Sequence, residues 1–341
     1  MIGKNIKYYR LLRNMSLQDL ADQVGLNKMA ISNYENGKRE PKLDICQKIA
    51  DALNVSLAML VSKYGNELIV VPGSFRKKAR LSKEKTDLVQ GQETHYLGRL
   101  YEAISFLGDS SLPPLMEVPP MEVKSAEDAG QKLREILGLS FHGPVGNITD
   151  ILENNGYIIC PIDAIEEGFS GHSGHVNGRP YIAVNVKMNG ERQRFTLIHE
   201  LAHLVFRFPD DQDEERKVDE IAGAFLLPKD DIIRELGPKR RDIRGDLQFI
   251  QLEYGISKAS IVMRAYQAGI ITKETYTITM KWMSARGYLK DDQTGVSEEG
   301  THLLEQLTLR AVAEEQIGIS KAAEILEKPL IETRKLCYGG V

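Results

Sequence analysis

Cysteine is scarce in this sequence, and no long apolar run is present. The three cysteines, Cys46, Cys160 and Cys337, are far apart and form no CxxC pair. This spacing argues against a disulfide framework and against a cysteine zinc site. No segment approaches the roughly 20 apolar residues that span a bilayer, and the first residues lack the apolar stretch and cleavage site of a signal peptide. We therefore expect a reduced, cytoplasmic protein that has no membrane partner.

The excess of charge is small but unevenly placed. The formal net charge is −4 over 341 residues, and this length favours about two or three domains. Residues 1–62 contain nine Lys or Arg against six Asp or Glu, so the remainder of the chain is acidic. A basic end on an acidic body favours nucleic-acid contact through the first segment alone.

Residues 1–62 predict five short helices with tight turns. Ser16 is a plausible N-cap for a second helix over 17–24, which ends at Gly25. Asn27 can cap a third helix, and two more helices are expected before residue 62. The pattern is typical of a helix-turn-helix bundle, in which the recognition helix enters the major groove of double-stranded DNA.

Polar residues of the second and third helices, and two basic residues after them, are candidate DNA contacts. Side chains of the third helix would face the bases, whereas the start of the second helix and the basic pair would contact phosphates. The expected contacts are Gln18, Lys28, Met29, Ser32, Asn33, Lys38 and Arg39. We expect operator-like DNA as the partner and a homodimer as the assembly. The alternative is a helical bundle used for protein contact.

An ion pair between Arg10 and Glu35 can tie the first helix to the third. After this bundle, residues 63–124 look like a connector, with a short strand candidate near 68–71 and a helical pattern to about Leu107. A proline-rich stretch within 112–120 cannot be helical and predicts a boundary.

Residues 125–270 combine predicted helices with apolar strands near 157–162 and 181–186. A few strands ahead of a helical set are typical of an α+β domain. Helices are predicted to dominate residues 271–341, which we expect to be a C-terminal extension.

The most specific motif is His-Glu-x-x-His at His199, Glu200 and His203. On a helix, positions i and i+4 share one face, so both imidazoles can bind one zinc ion. Glu200 lies one step around the helix, where its carboxylate can activate a zinc-bound water. The surrounding segment is apolar and predicts a buried helix, in which such polar groups are costly without a role. The alternative is two satisfied core histidines beside a salt-bridged glutamate.

A catalytic zinc needs a third protein ligand, and the next predicted helix offers acidic candidates. Its apolar stripe passes through Val218 and Ile221, and Glu215 continues that inward face. We predict Glu215 as the third ligand of one zinc ion per chain, with Glu214 as its rival. Asp219 can accept the second N–H of a ligating histidine. Alternatively, these acids form the solvated start of a helix.

These residues predict hydrolysis of an amide bond, with Glu200 as the general base. His172 and His175 lie in a glycine-rich segment that we expect to be a loop, and either can stabilise a developing oxyanion. The alternative is that both are plain surface residues. Cys160 is expected to be a small buried residue in a strand rather than an inhibitory thiolate.

Two segments resemble known families. Residues 3–61 resemble the XRE (Cro/CI-type) helix-turn-helix family at 16–21 (SLQDLA), 31–37 (ISNYENG) and 39–41 (REP). Residues from about 125 to 270 resemble the ImmA/IrrE metallopeptidase family at 194–203 (RFTLIHELAH), 225–228 (FLLP) and 254–260 (YGISKAS). The tail from 311 to 326 is similar to a helical extension found on such fusions.

The resemblance implies a gluzincin-like site whose second helix carries an ExxxD motif, which Glu215 and Asp219 supply. It also implies a repressor protein as the natural substrate, cut so that the genes under its control switch on. We therefore predict a mainly α, multi-domain fold: a five-helix DNA-binding bundle, an α+β gluzincin-like metallopeptidase domain with a small sheet, and a helical extension.

The predicted function is a cytoplasmic transcriptional regulator with a zinc endopeptidase domain that cleaves a partner protein. One alternative is a repressor or antitoxin whose metallopeptidase fold is a non-catalytic sensor or structural module. The other is a peptidase whose small helical bundle docks protein rather than DNA.

Overall fold

The computed structural model describes residues 2–13, 15–61, 68–72, 81–115, 121–163, 165, 168–208, 213–289 and 295–339. Within these residues, seventeen α-helices accompany two small sheets, which confirms the expected mainly α fold with a small sheet. The second half of the proline-rich stretch, 116–120, lies outside the described residues. No helix in the described ranges has the length and apolar character needed to cross a membrane.

The first five helices form the predicted bundle. They are α1 (Ile2–Leu12), α2 (Leu17–Val24), α3 (Lys28–Glu35), α4 (Leu43–Ala52) and α5 (Leu57–Val61). Ser16 Oγ accepts a hydrogen bond from the Asp19 N–H at 3.1 Å, and the Asp19 carboxylate accepts one from the Ser16 N–H at 2.7 Å. Gly25 ends α2 with a φ of 73°, and the Asn27 side chain caps α3. The predicted caps and stop are confirmed.

A buried ion pair joins α1 to α3, as predicted. Arg10 Nε lies 2.6 Å from Glu35 Oε1, and Arg10 Nη2 lies 2.9 Å from Glu35 Oε2. This bidentate geometry is among the strong hydrogen-bonding arrangements in proteins. The two helices also approach closely, because a Cβ on Gly3 would lie 2.1 Å from the carbonyl oxygen of Tyr34.

The rest of the chain contains six strands and twelve helices in the described ranges. The strands are β1 (Val70–Pro72), β2 (Met121–Glu122), β3 (Ile158–Ile162), β4 (Gly171–Val176), β5 (Arg179–Asn185) and β6 (Phe206–Arg207). The first helices are α6 (Lys83–Leu107), α7 (Ala126–Ile136), α8 (Ile148–Asn154), α9 (Gly190–Val205) and α10 (Glu214–Leu226). They are followed by α11 (Lys229–Leu236), α12 (Leu247–Tyr254), α13 (Lys258–Gln267), α14 (Lys273–Ala285), α15 (Leu303–Ala313), α16 (Ile319–Leu326) and α17 (Leu330–Tyr338).

The main sheet has the strand order β1-β4-β5-β3, and β2 pairs separately with β6. β4 is antiparallel to both β1 and β5, whereas β3 is parallel to β5. The prediction of a glycine-rich loop is wrong over 171–176, where the chain forms β4. The glycines permit close packing rather than a turn, since a Cβ on Gly171 would lie 2.6 Å from Thr196 Cγ2.

Two hydrophobic cores lie on the two faces of the main sheet. Ile158 and Cys160 of β3 pack into a core shared with the bundle, α6, α15 and α16, whereas Ile159 packs into a core built from α7 to α14. The strand candidate near 68–71 is confirmed as β1, which extends the main sheet. The predicted connector therefore belongs to a core, and the division of the chain at 62, 124 and 270 stays a prediction.

The segment before α15 returns to the N-terminal half of α9. Glu299 accepts a hydrogen bond from Arg194 Nη1 at 2.6 Å and from the Thr149 N–H at 3.0 Å. Its own N–H donates to Gln193 Oε1 at 2.7 Å. These buried contacts fix α9, which carries the His-Glu-x-x-His motif, against α8 and the C-terminal part of the chain.

Candidate metal centre

The two histidines of the motif lie one turn apart on α9 and face α10. His199 Nε2 and His203 Nε2 are 3.2 Å apart. Both rings are largely buried, because α9 packs between the main sheet and α10. The i and i+4 spacing therefore brings two imidazoles to one point, as a shared ion requires.

Glu215, in the first turn of α10, supplies the third set of donor atoms. Its Oε2 lies 3.6 Å from His199 Nε2, and its Oε1 lies 3.6 Å from His203 Nε2. Atoms bound to one tetrahedral zinc at roughly 2.0–2.1 Å would lie about 3.4 Å apart. Among the described residues, these three are the group whose donor atoms come close enough to hold a metal ion. Two imidazoles and a carboxylate are a donor set that zinc accepts, so the residues fit the ion.

Two carboxylates hold the outer nitrogens of the histidines. His199 Nδ1 lies 2.7 Å from Asp219 Oδ1, and His203 Nδ1 lies 3.1 Å from Glu214 Oε1. Because an ionised carboxylate only accepts, each Nδ1 is assigned the proton and each Nε2 is left with its lone pair. The structure thus places Asp219 where the sequence predicts it. Glu214, the rival third ligand, contacts His203 Nδ1, a role that sequence reasoning missed.

Glu200 lies beside the histidines but is held by the sheet. Its carboxylate is buried, and Oε2 accepts a hydrogen bond from Ser173 Oγ at 3.0 Å. Sequence reasoning missed Ser173, because it assigned this segment to a loop. The alternation of residues in a strand is the signal that would have placed Ser173 and His172 on opposite faces of β4.

A cleft of about 280 Å³ opens beside the histidines. Aromatic, hydroxyl and carboxylate groups share its wall with one arginine. The lining residues are Gly168, Phe169, Ser170, Gly171, Arg192, Phe195, Thr196, His199, Glu200, Glu215 and Asp219. The cleft thus exposes Glu200, His199 and Glu215 on one wall.

His172 and His175 are not brought to this cleft. His172 points to the other face of β4, where its Nε2 lies 3.0 Å from Glu93 Oε2, and His175 is exposed. The proposed oxyanion role therefore has no geometric support for either histidine. His172 is directed away because alternate side chains of a strand leave on opposite faces. His175 shares the face of Ser173 but is not among the residues that line the cleft. Cys160 is fully buried, and this burial, reinforced by Glu93, raises the pKa of its thiol well above the usual value.

The predicted DNA contacts of the bundle are exposed or half-buried. The exposed members are Gln18, Lys28, Met29, Lys38 and Arg39, and the half-buried members are Ser32 and Asn33. Met29 is 72% exposed, so it is accessible to a ligand, as the prediction of a DNA contact requires. Gln18 Nε2 donates to Asp22 Oδ1 at 2.7 Å within α2.

Comparisons with known proteins match two segments of the chain. A helix-turn-helix family model matches residues 6–60. A model described as the IrrE N-terminal-like domain matches residues 158–266, which include the histidines and Glu215. No solved structure gives a significant match.

Curated relatives match the first segment. The chain is 33% identical over 69 residues to the uncharacterized HTH-type transcriptional regulator YqaE of Bacillus subtilis, across 20% of this chain and 60% of YqaE. It is 38% identical over 52 residues to an uncharacterized HTH-type transcriptional regulator of Methanocaldococcus jannaschii, across 15% and 79% of the two chains. It is 34% identical over 64 residues to the HTH-type transcriptional regulator SinR of Bacillus subtilis, across 18% and 58%. The first of these relatives is thus matched over less than two thirds of its length.

Proposed function

Since the chain belongs to the XRE-type helix-turn-helix transcriptional regulators and carries an IrrE N-terminal-like domain, we propose that it is a DNA-binding regulator with zinc-dependent endopeptidase activity. The proposed substrate is a partner protein, a repressor whose cleavage releases the genes that it controls. Operator-like double-stranded DNA is the proposed partner of the bundle, and a homodimer stays a prediction.

The convergence of donor atoms at α9 and α10 carries this proposal. Two unprotonated imidazole nitrogens 3.2 Å apart repel each other unless a cation lies between them. Carboxylates on the outer nitrogens, here Asp219 and Glu214, are the usual companions of zinc-binding histidines. A zinc ion at this point would polarise a carbonyl group and lower the pKa of a bound water.

Glu200 is the proposed general base. It is buried beside the imidazoles, and the hydrogen bond from Ser173 holds one of its carboxylate oxygens in a fixed direction. A carboxylate held at this position can take a proton from the attacking water and donate it to the leaving amine. A structural zinc site needs no glutamate between its histidines, so Glu200 favours catalysis over a purely structural site.

Zinc content and proteolysis of the full chain test the peptidase half of the proposal. We expect about one zinc per chain in the wild type and in Glu200→Gln. We expect cleavage of a protein or peptide library by the wild type but not by Glu200→Gln, because the amide cannot accept the proton. Proteolysis retained in Glu200→Gln would contradict the general-base role. Absence of zinc from the supplemented wild type would contradict the whole site.

Salt-dependent DNA binding tests the DNA-binding half of the proposal. Arg39 is exposed just after α3, and we propose that it contacts a phosphate. Arg39→Ala should weaken binding uniformly across sequences and reduce the slope of log affinity against log salt by about 1. Lys48→Ala, an exposed substitution on α4, is the matched control. If Arg39→Ala and Lys48→Ala have equal salt slopes, the proposed contact is wrong.

A second candidate function is a DNA-binding regulator whose metal centre senses rather than cleaves. The shared core favours this reading, since α6 packs against both α1 and β3 and so links the bundle to the sheet. In that case zinc would change the affinity for DNA, and Glu200→Gln would leave this change intact while no library component is cleaved.

A further inference from the structure

The cleft extends along α9 away from the candidate metal centre, and Arg192 lies at its far end. Arg192 and Phe195 line the cleft together with His199. They precede His199 by seven and four residues, which places all three on one face of the helix. The same face therefore offers a metal-binding nitrogen, an aromatic ring and a guanidinium group in a row.

The guanidinium group of Arg192 is available to a ligand. Its Nη2 donates to Ser170 Oγ at 3.3 Å, and no carboxylate among the described residues pairs with it. Arg194, two residues later, is the opposite case. Four of its five N–H groups donate to Glu299 and to backbone carbonyl groups in the interior. The difference shows that Arg194 holds the fold together, whereas Arg192 presents to the cleft a charge that no carboxylate of the described ranges pairs with.

The other charged groups of the cleft have the opposite sign. Glu200, Glu215 and Asp219 lie at the metal end, and Arg192 is the one Lys or Arg among the lining residues that the structure describes. An acidic side chain of a bound polypeptide is therefore attracted to the Arg192 end and repelled from the three carboxylates. This polarity sets a register for an extended peptide in the cleft.

Helix geometry gives the distance between the Arg192 end and the metal end of the cleft. Seven residues of an α-helix rise about 10 Å, and an extended peptide advances about 3.3 Å per residue. A substrate carboxylate at Arg192 would thus lie about three residues from the bond at the metal centre. Phe195 lies between the two ends on the helix face, and Phe169 is a further aromatic residue of the cleft wall.

We infer that Arg192 determines specificity by binding an acidic residue about three positions from the scissile bond of the substrate. This inference rests on the proposed peptidase function and names the class of polypeptide segment that the cleft accepts. Arg192 acts on binding and register, and it takes no part in proton transfer.

Binding of synthetic peptide hydroxamates tests the inference without requiring cleavage. A hydroxamate chelates zinc, so it anchors one end of an alanine peptide at the metal centre of the zinc-loaded full chain. One series would carry the hydroxamate at the N-terminus of the peptide and the other at the C-terminus. In each series, Asp or Lys would stand at the first, second, third or fourth position counted from the hydroxamate. The dissociation constant of each is measured by calorimetry with the wild type, Arg192→Gln and Arg192→Glu. Arg310→Gln, an exposed substitution on α15, is the matched control.

In one of the two series, we expect Asp at the third position to bind about tenfold more tightly than Lys. Arg192→Gln should remove this preference, Arg192→Glu should reverse it, and Arg310→Gln should preserve it. Hydroxamates that bind the zinc-loaded wild type with no preference for Asp would overturn the inference and leave the proposed function standing. Failure of every hydroxamate to bind a protein that contains zinc would overturn both.

Discussion

Two histidine–carboxylate clusters lie on opposite faces of β4. The front cluster consists of His199, His203 and Glu215 with Asp219 and Glu214, next to the cleft. The back cluster consists of His172, Glu93 and Tyr181, under α6. Both contain histidine and glutamate, so residue type alone does not distinguish them. The back cluster is buried, whereas Glu215 and Asp219 of the front cluster are about half exposed beside the cleft.

The direction of the lone pairs distinguishes the two clusters. In the back cluster, the two oxygens of Glu93 are engaged separately by His172 and by the Tyr181 hydroxyl, and burial raises the pKa of Tyr181. In the front cluster, two nitrogens of the same kind face each other at 3.2 Å. The first arrangement gives each oxygen of the buried Glu93 carboxylate a partner, whereas the second presents two facing nitrogens that a bound cation would bridge. The geometry of donors, rather than their identity, separates a structural cluster from a metal centre.

Removing the third ligand should give the largest effect. Glu215→Ala leaves two imidazoles, and we expect loss of stoichiometric zinc because a catalytic site requires three protein ligands. Elemental analysis of purified protein measures the result. Glu220→Ala, which removes a half-buried carboxylate paired with Arg216 on the same helix, should keep its zinc. Full zinc content in Glu215→Ala would place the third ligand elsewhere.

Removing an outer carboxylate should have a smaller effect. Asp219→Ala and Glu214→Ala should each weaken zinc affinity by about 10–100-fold, since these groups orient the imidazoles without binding the ion. Competition with a chelator of known affinity measures the change. A complete loss of zinc in Glu214→Ala with retention in Glu215→Ala would reverse the roles that the distances assign to the two glutamates.

A substitution in the back cluster should lower the stability of the fold and leave the zinc content unchanged. His172→Ala leaves Glu93 buried with one oxygen unpaired, and we expect the free energy of unfolding to fall by roughly 3 kcal/mol. Urea unfolding of the zinc-free protein measures this change, while zinc affinity should be unchanged. His175→Ala on the same strand is exposed and serves as the control. Loss of zinc in His172→Ala would show that the two faces of β4 are not independent.

Glu153 on α8 extends the comparison to a buried carboxyl group that accepts hydrogen bonds from the Thr301 hydroxyl and the His302 backbone N–H. Burial raises its pKa from 4.5 to about 7, although a hydrogen bond from Thr301 opposes the shift. The protonated form therefore stabilises the fold below pH 4.5, and this contribution is lost as the pH rises through 7.

Glu153→Gln, which resembles the protonated form, should keep this contribution at every pH. We expect the variant to be more stable than the wild type by roughly 3 kcal/mol at pH 8 and equal to it near pH 4. Urea midpoints at the two pH values give the comparison. An equal difference at both pH values would contradict the raised pKa.

Structural features that depend only on residues close together in the chain could be predicted from the sequence. The Ser16 and Asn27 caps, the Gly25 stop and the shared face of His199 and His203 depend on hydrogen bonds or helix periodicity within a few residues. The loop assigned to the segment around His172 failed for a physical reason. Glycine there serves packing between β4 and α9, and glycine content alone resembles that of a turn.

By itself, the sequence determined the bundle of five helices, the helix that carries His-Glu-x-x-His, and the acidic start of the helix that follows. Only the tertiary structure decided that Glu215 faces both Nε2 atoms while Glu214 contacts His203 Nδ1. It also decided that Ser173 supports Glu200 and that Arg192 lies in the cleft. These relations join α9 to α10 and to β4 across long sequence separations, where no local periodicity specifies which atoms meet.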